Sequence, residues 1–266
     1  MKTSLIVSTY NRPDALRLTL KSIARQRLLP SEVIIADDGS TNETKLLVDE
    51  FAANFPIPIQ HVWQEDKGFR LAAIRNKAIK KASGEFLIFT DGDIILHKDF
   101  IQSHISFALP KHFCQGHRVL LNASATKKAI ENEQLNFGLF DSGINNRLYA
   151  FHHLGFSKLM SKTVLSEEKV KGCNFSCYRE DAIKINGFNE SFIGWGKEDA
   201  EFIARLINSG VKGIDIKFAA VAFHLDHGEN FKKKTEDALP NNLLFVEKAK
   251  KEKLTWCDNG ILKKTY

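Results

Sequence analysis

Sulfur, proline and long apolar runs are all scarce in this chain. Its four cysteines, Cys114, Cys173, Cys177 and Cys257, are too few and too irregularly spaced for a disulfide framework or a zinc site. A reducing compartment suits them. No stretch approaches the ~18 apolar residues of a membrane span, and the apolar part of Met1 to Thr9 is too short for a secretory leader. The expectation is a cytoplasmic protein, soluble or held peripherally on the inner face of the membrane. Neither sign of charge dominates: 38 basic against 32 acidic residues leave a net charge of +6. The basic residues are scattered and form no nucleic-acid reader motif, so no nucleic-acid partner is expected. The excess of positive charge suits an anionic ligand or an anionic membrane surface.

What is present is a regular alternation. A β-branched run, Leu5 to Ser8, leads through Thr9-Tyr10-Asn11-Arg12 to Pro13, where a helix opens with Leu16, Leu20 and Ile23 at helical spacing. Val33 to Ala36, Ile59 to Trp63 and Phe86 to Thr90 read as further strands, with helices over about Glu43 to Phe51 and Leu71 to Ala82 between them. This order predicts βαβ units and a mostly parallel sheet flanked by helices, the α/β class. Ser106 to Val170 shows no period. Regularity returns with a strand over Gly172 to Tyr178, a helix from Glu198 to Asn208, and short strands at Ile214 to Phe218 and Val221 to His224. The expected organisation is one domain over 1–230, with a nucleotide-binding half at 1–105 and an acceptor and catalytic half at 106–230, then a basic extension at 231–266.

Chemistry gathers where strands end. Phe86 to Thr90 runs apolar into Asp91-Gly92-Asp93, two hard oxygen ligands one residue apart, able to share a divalent cation at the carboxyl edge of a parallel sheet. Gly92 is expected to leave room for phosphate beside the backbone. The bland reading is an acidic turn. Asp37-Asp38-Gly39-Ser40 ends another strand, and its carboxylates suit a base with ring N–H donors or, equally, a turn and a helix cap. Arg75, one turn into a helix, has the fork to bind a diphosphate, or else is a solvated arginine. Gly194-Trp195-Gly196-Lys197-Glu198-Asp199 frames an indole with glycines, a flat platform for a sugar ring, ahead of two carboxylates in a first helical turn. One of those carboxylates is a candidate general base; helix-start acidity beside a core tryptophan is the alternative. In His224-Leu225-Asp226-His227 one imidazole can complete the coordination begun by Asp93, tilting preference from magnesium toward manganese.

Through Ser8-Thr9-Tyr10-Asn11-Arg12, Asp37-Asp38-Gly39-Ser40, Arg75-Asn76 and Asp91-Gly92-Asp93 the chain resembles the family-2 inverting glycosyltransferases of the GT-A fold. Gly172-Cys173-Asn174-Phe175-Ser176, Gly187-Phe188 and Gly194 to Asp199 look like the β-1,4-galactosyltransferases and the bacterial chondroitin-type polymerases. The likeness spans about Ser4 to His227. It implies a Rossmann-like GT-A sheet and a UDP-sugar donor, with Thr9, Tyr10, Asn11, Arg12, Asp37, Asp38, Arg75, Asp91, Gly92 and Asp93 around the nucleotide-sugar. It places Mn2+, or Mg2+, on Asp93 and His224, makes Asp199 the base with Glu198 beside it, and sets Trp195, Gly196 and Lys197 at the acceptor or sugar. Lys197 stands where galactosyltransferases usually carry glycine.

The resulting expectation is transfer of one hexose or N-acetylhexosamine, with inversion to a β-glycoside, onto a saccharide or lipid-linked saccharide in bacterial polysaccharide or lipopolysaccharide assembly. Two rivals stand beside it. A sugar nucleotidyltransferase needs a glycine-rich phosphate loop where Thr9-Tyr10-Asn11-Arg12 stands; a non-catalytic nucleotide-sugar or glycan-binding module would have no need of Asp93, Asp199 and His224. The tail lysines Lys232, Lys233, Lys234, Lys248, Lys250, Lys251 and Lys253 offer contact with anionic lipid, or a solvated helix face.

Overall fold

The computed structural model describes residues 1–164, 166, 170–228 and 239–263. Its first half is the predicted alternation: β1 (Thr3–Thr9), α1 (Pro13–Ala24), β2 (Glu32–Asp37), α2 (Asn42–Ala52), β3 (Ile59–Trp63), α3 (Leu71–Lys81) and β4 (Phe86–Asp91). Pro13 opens α1, where its missing N–H costs nothing. Strands β3-β2-β1-β4 lie side by side and parallel. Register sets Thr9 beside Asp37 and Ser8 beside Asp91, so the carboxyl ends of three strands share one edge.

Side chains alternate across the strands and bury on both faces. Leu5, Val7, Val33, Ile35, Phe86 and Ile88 pack under Leu16, Leu20 and Ile23 of α1 and Leu47 and Val48 of α2. Ile6, Ile34, Leu87 and Phe89 pack on Ile74, Ala78 and Ile79 of α3. That two-sided burial explains why the strands read as unbroken apolar runs.

Structure also fills the stretch that shows no period: β5 (Ile94–Leu96), α4 (Phe100–Ser106), β6 (His112–Gln115), β7 (Arg118–Leu121), α5 (Ala123–Glu131), β8 (Ile144–Asn145), a 3-10 turn at Arg147–Ala150, α6 (Leu154–Met160) and β9 (Lys162–Val164). Elements of two to nine residues are too short to impose a period. Then follow β10 (Asn174–Tyr178), α7 (Arg179–Lys184), α8 (Glu198–Asn208), β11 (Lys212–Asp215), β12 (Ala222–His224) and α9 (Leu239–Lys251). The large sheet continues β4-β10-β6-β11-β9, with β10 antiparallel to both neighbours and β6 parallel to β11. A second sheet, β5-β12-β7-β8, brings His224 level with Ile94, one residue past Asp93. β11 ends before the predicted Phe218, whose φ of 58° is incompatible with a strand. β10 begins two residues later than predicted, because Asn174 N–H closes a turn on Lys171 O at 3.1 Å.

Phe188 and Phe202 stack at 4.2 Å between α8 and the sheet. Beneath them Arg205 is fully buried and donates to both Glu201 oxygens at 2.8 and 2.7 Å and to the carbonyls of Ile185 and Gly187 at 2.5 and 2.8 Å. Removing one partner of a buried, satisfied ion pair strands the other charge. Arg205→Ala is therefore expected to lower unfolding free energy in urea by about 3–5 kcal/mol, while Glu201→Gln, which keeps an acceptor, costs less.

Candidate active site

Three loops at the carboxyl edge are stitched to one another. Asn11 N–H donates to Ser40 Oγ at 2.9 Å and Asn11 Oδ1 accepts from Thr41 N–H at 2.8 Å, joining the loop after β1 to the loop after β2. Asp38 accepts from Gln64 Nε2 at 2.5 Å and from Arg70 N–H at 2.7 Å, joining the loop after β2 to the one after β3. Burial leads in raising the Asp38 carboxyl above its ordinary range, against those two donors. Asp37 is completely buried; its oxygens accept from Ser40 N–H at 2.8 Å and meet His61 Nε2 at 2.9 Å. Both aspartates hold the turns at this edge. Tyr10 remains exposed at the rim, its hydroxyl donating to Asp66 at 2.9 Å.

At the end of β4, Gly92 packs closely on β1. A Cβ there would lie 2.9 Å from Thr9 Oγ1 and 3.1 Å from Ser8 O, so its missing side chain makes room for β1, and Gly92 N–H donates to Ser8 O at 2.6 Å.

Asp93 is buried among cations and imidazoles. Its Oδ2 meets Arg12 Nη1 at 3.3 Å and His227 Nδ1 at 3.1 Å, and its Oδ1 lies 3.7 Å from His224 Nε2. The two histidines approach Nε2 to Nε2 at 3.2 Å. Burial first, then the positive charge of Arg118, pushes His224 down to about 3, so its imidazole is neutral and keeps a lone pair. Asp93 Oδ1 is buried without a hydrogen-bond partner among the described residues. One carboxylate and two imidazoles, with ligand atoms within 4.8 Å of one another, fit a divalent cation of mixed oxygen and nitrogen preference. Asp93 and His224 are the predicted ligands. His227 joins them; its signal was the second histidine of His224-Leu225-Asp226-His227. Arg118, half-buried with Nη1 3.6 Å from Cys173 Sγ, came from the stretch without a period and had no sequence signal.

Another acidic and histidine cluster differs in kind. His97, Asp99 and His152 also lie within 4.8 Å, but Arg27 Nη1 already donates to both Asp99 oxygens at 3.1 and 3.2 Å. That carboxylate is neutralised by the protein itself.

Arg75 joins this edge to the second half of the chain. It is 1% exposed, and it donates to Ser8 Oγ, Asp91 Oδ1, Glu198 Oε1 and Gly172 O, each at 3.2 Å. Those four hydrogen bonds are all made inside the protein. One guanidinium spans Asp91, two residues from the cation cluster, and Glu198, at the first turn of α8. Asp199, next along, accepts from Gly172 N–H and Ala200 N–H, both at 2.7 Å. Glu198, Asp199 and the Asp91-Gly92-Asp93 turn are therefore brought to one place. Upstream, Trp195 is 44% exposed between Gly194, Gly196 and Lys197, all of positive φ. Lys197, at 76°, occupies a conformation that favours glycine, which accounts for glycine being usual there.

A family model described as glycosyl transferase family 2 matches residues 4–167. The chain belongs to glycosyl transferase family 2. A model described as the N-terminal domain of galactosyltransferase matches residues 153–232 of the same glycosyltransferase. It is 30% identical over 222 residues to validoxylamine A glucosyltransferase of Streptomyces hygroscopicus subsp. limoneus, covering 78% of this chain and 48% of that one. It is 26% identical over 227 residues to chondroitin synthase of Pasteurella multocida (strain Pm70), covering 78% and 23%. The chain thus spans half or less of these relatives. Among solved structures it superposes on GalNAc-T7 with UDP, GalNAc and Mn2+ at a TM-score of 0.68 and 15% identity, covering 93% of this chain and 48% of that one. The mannosyltransferase PcManGT from Pyrobaculum calidifontis, in complex with GDP-Man and Mn2+, gives 0.61 and 18%, covering 88% and 59%. The fold is GT-A. No helix among the described residues is long and apolar enough to cross a membrane. Lys232, Lys233 and Lys234 lie outside the described residues, and Lys248, Lys250 and Lys251 form the basic last turn of α9.

Burial, then the neighbouring Asp199 charge, raises Glu198 from 4.5 to about 7, against the pull of Arg75. A carboxyl raised on folding contributes its stability fully below about 4.5 and loses it as pH climbs through about 7. Glu198→Gln removes that titration while keeping an acceptor for Arg75. Between pH 5 and pH 8 the variant should therefore gain on wild type by about 2 kcal/mol in urea unfolding; a constant difference across that range refutes the assignment.

Proposed function

We propose that this glycosyltransferase is inverting and cation-dependent, moving one hexose or N-acetylhexosamine from a UDP-sugar onto a saccharide hydroxyl to form a β-glycoside. The observation that carries the reading is the Arg75 bridge, which ties Asp91, two residues before Asp93, to Glu198 beside Asp199. Asp93, His224 and His227 would hold the cation, with manganese favoured by the nitrogen ligands. Bound there, it supplies Lewis-acid neutralisation of negative charge on phosphate oxygens. The nucleotide lies along the stitched rim, its base against the exposed Tyr10 ring, a role that π-stacking on any nucleobase supports. Two solved neighbours carry UDP or GDP-Man, which supports a nucleotide-sugar donor.

Asp199 takes the proton of an acceptor hydroxyl as that oxygen forms its bond to the sugar C1. The bond from C1 to the diphosphate oxygen breaks on the opposite face, and UDP leaves with the electron pair. Two backbone N–H groups fix the Asp199 carboxylate, so its contribution comes from orientation more than from basicity. Glu198, held by Arg75, lines the donor sugar, and Trp195 offers its exposed face to the acceptor ring. Residues 1–105 would then serve the donor and 106–230 the acceptor and the chemistry. The names of the chondroitin synthase relatives support surface polysaccharide or lipopolysaccharide assembly as the setting.

Calorimetry with UDP and Mn2+ tests the binding half of the reading: Asp93→Ala and His227→Ala should each weaken affinity about tenfold or more. Transfer from a panel of UDP-sugars tests the other half. Asp199→Asn should bind donor as wild type does and lose about 100-fold or more in turnover. Undiminished turnover by Asp199→Asn removes that residue as the base. Donor binding without turnover in wild type, across donors and saccharide acceptors, returns the reading to a binding module.

A further inference from the structure

The loop carrying Trp195 adopts backbone that L residues seldom take unaided. Gly194, Gly196 and Lys197 have φ of 75°, 101° and 76°, and residues 193–197 belong to no helix or strand. Within it, Gly194 N–H donates to Phe69 O at 3.2 Å, and Lys197 O accepts from Glu201 N–H at 3.0 Å. Three of the other four carbonyls turn toward one side chain. Asn242 Nδ2 approaches Gly196 O at 3.0 Å and Ile193 O and Trp195 O at 3.4 Å each. Asn242 is 2% exposed and stands in the first turn of α9, 47 residues beyond Trp195. Three carbonyl oxygens around one amide leave only one sensible orientation, nitrogen inward.

α9 is itself clamped at both ends. Phe245 packs on Phe192 with ring centroids 5.1 Å apart, and Val246 joins Phe192 and Ala200 in a small apolar cluster. Near its other end Asn208 Nδ2 donates to Ala249 O at 2.9 Å and Leu254 O at 2.8 Å. A rigid helix therefore presents the amide to the loop.

We infer that Asn242 is a positioning residue for the acceptor site: it fixes the carbonyls on either side of the exposed indole, and so sets the pose of Trp195 toward an incoming sugar ring. The inference rests on the reading of Trp195 as the acceptor platform. It makes acceptor recognition depend on α9, an element separate from those that carry the residues placed around the nucleotide and cation.

Full-length protein carrying Trp63→Phe and Trp256→Phe keeps Trp195 as its only indole. In that background Asn242→Ala and Asn242→Asp, the second of which sets a carboxylate against three carbonyls, should raise acrylamide quenching of Trp195 about twofold or more. Turnover against saccharide acceptors should fall about tenfold in kcat/KM, chiefly through acceptor KM. UDP affinity with Mn2+ should stay at the wild-type value, and Asn242→Gln, which retains the donor, should recover most of the loss. Unchanged quenching in Asn242→Asp overturns the proposal, as does a parallel loss of UDP affinity. Should Asn242→Asp fail to fold in thermal melts, Asn242→Ser, with a shorter donor, carries the same test. Absence of UDP binding by the wild-type protein counts against glycosyl transfer itself, while the quenching comparison still judges Asn242.

Discussion

The architecture hinges on one buried guanidinium shared by two carboxyl groups. Arg75 reaches from α3 to Asp91 at the end of β4 and to Glu198 at the start of α8, with Gly172 O and Ser8 Oγ taking further hydrogens. Its guanidinium also lies 5.4 Å from the centre of the Phe188 ring. Removing such a group would leave two carboxylates in a desolvated space with no counter-charge, a penalty of about 3–5 kcal/mol for a single stranded partner. Asn76, its neighbour, works in parallel: it exchanges two 2.8 Å hydrogen bonds with the Phe188 backbone. Two adjacent residues of one helix thus tie the carboxyl edge of the sheet to the half of the chain carrying Glu198, Asp199 and Trp195. The glycines of the later motifs follow from this. A Cβ on Gly172 would sit 2.9 Å from Arg75 Nη1, and one on Gly187 2.3 Å from Asn76 Oδ1.

Much of this was legible in the residues, and the boundary is physical. β1, β2 and β4 announced themselves because a strand buried on both faces is largely apolar, and because the chain turns polar at the same edge each time. β3 ran from Ile59 to Trp63 as its residues suggest. The Asp91-Gly92-Asp93 turn was visible for the same reason. What stayed hidden was direction and distance. No local pattern tells an arginine one turn into a helix to point inward at Glu198 rather than outward at a ligand, because its partner stands 123 residues away. Asp37 shows the same limit, since His61 lies on a neighbouring strand. Between Ser106 and Val170 the elements are two to nine residues long, and their identity comes from the sheet that receives them rather than from their own sequence.

Two clusters of similar composition show how charge balance separates a ligand site from a structural one. Around Asp99 the anion is met bidentately by Arg27, and burial pushes His97 down to about 4, so two neutral rings stack at 4.4 Å over a neutralised carboxylate. Around Asp93, Arg12 contacts one oxygen and also reaches His227 Nδ1 at 3.0 Å and Asp226 O at 3.2 Å, leaving Asp93 Oδ1 buried without a hydrogen bond among the described residues. A buried anion with an unused oxygen is costly unless something further compensates it. A cation held between Asp93, His224 and His227, as proposed, would remove that cost.

The Trp195 loop completes the physical picture from the opposite direction, through strain instead of charge. A lysine at φ 76° is disfavoured by about 1–2 kcal/mol relative to right-handed backbone, a cost glycine escapes. Local strain of that kind persists only where the surroundings over-determine the conformation. Here the surroundings are specific: Phe69 O on one side, the first turn of α8 on the other, and the amide of α9 beneath. Lys197 can replace the usual glycine because the loop is held from outside its own sequence. The same support leaves an indole 44% exposed on a backbone with little freedom to move. Rigid presentation of an apolar face lowers the entropy lost when a sugar ring stacks on it. The strained residue and the buried asparagine are therefore two halves of one arrangement, in which α9 holds the loop that exposes Trp195.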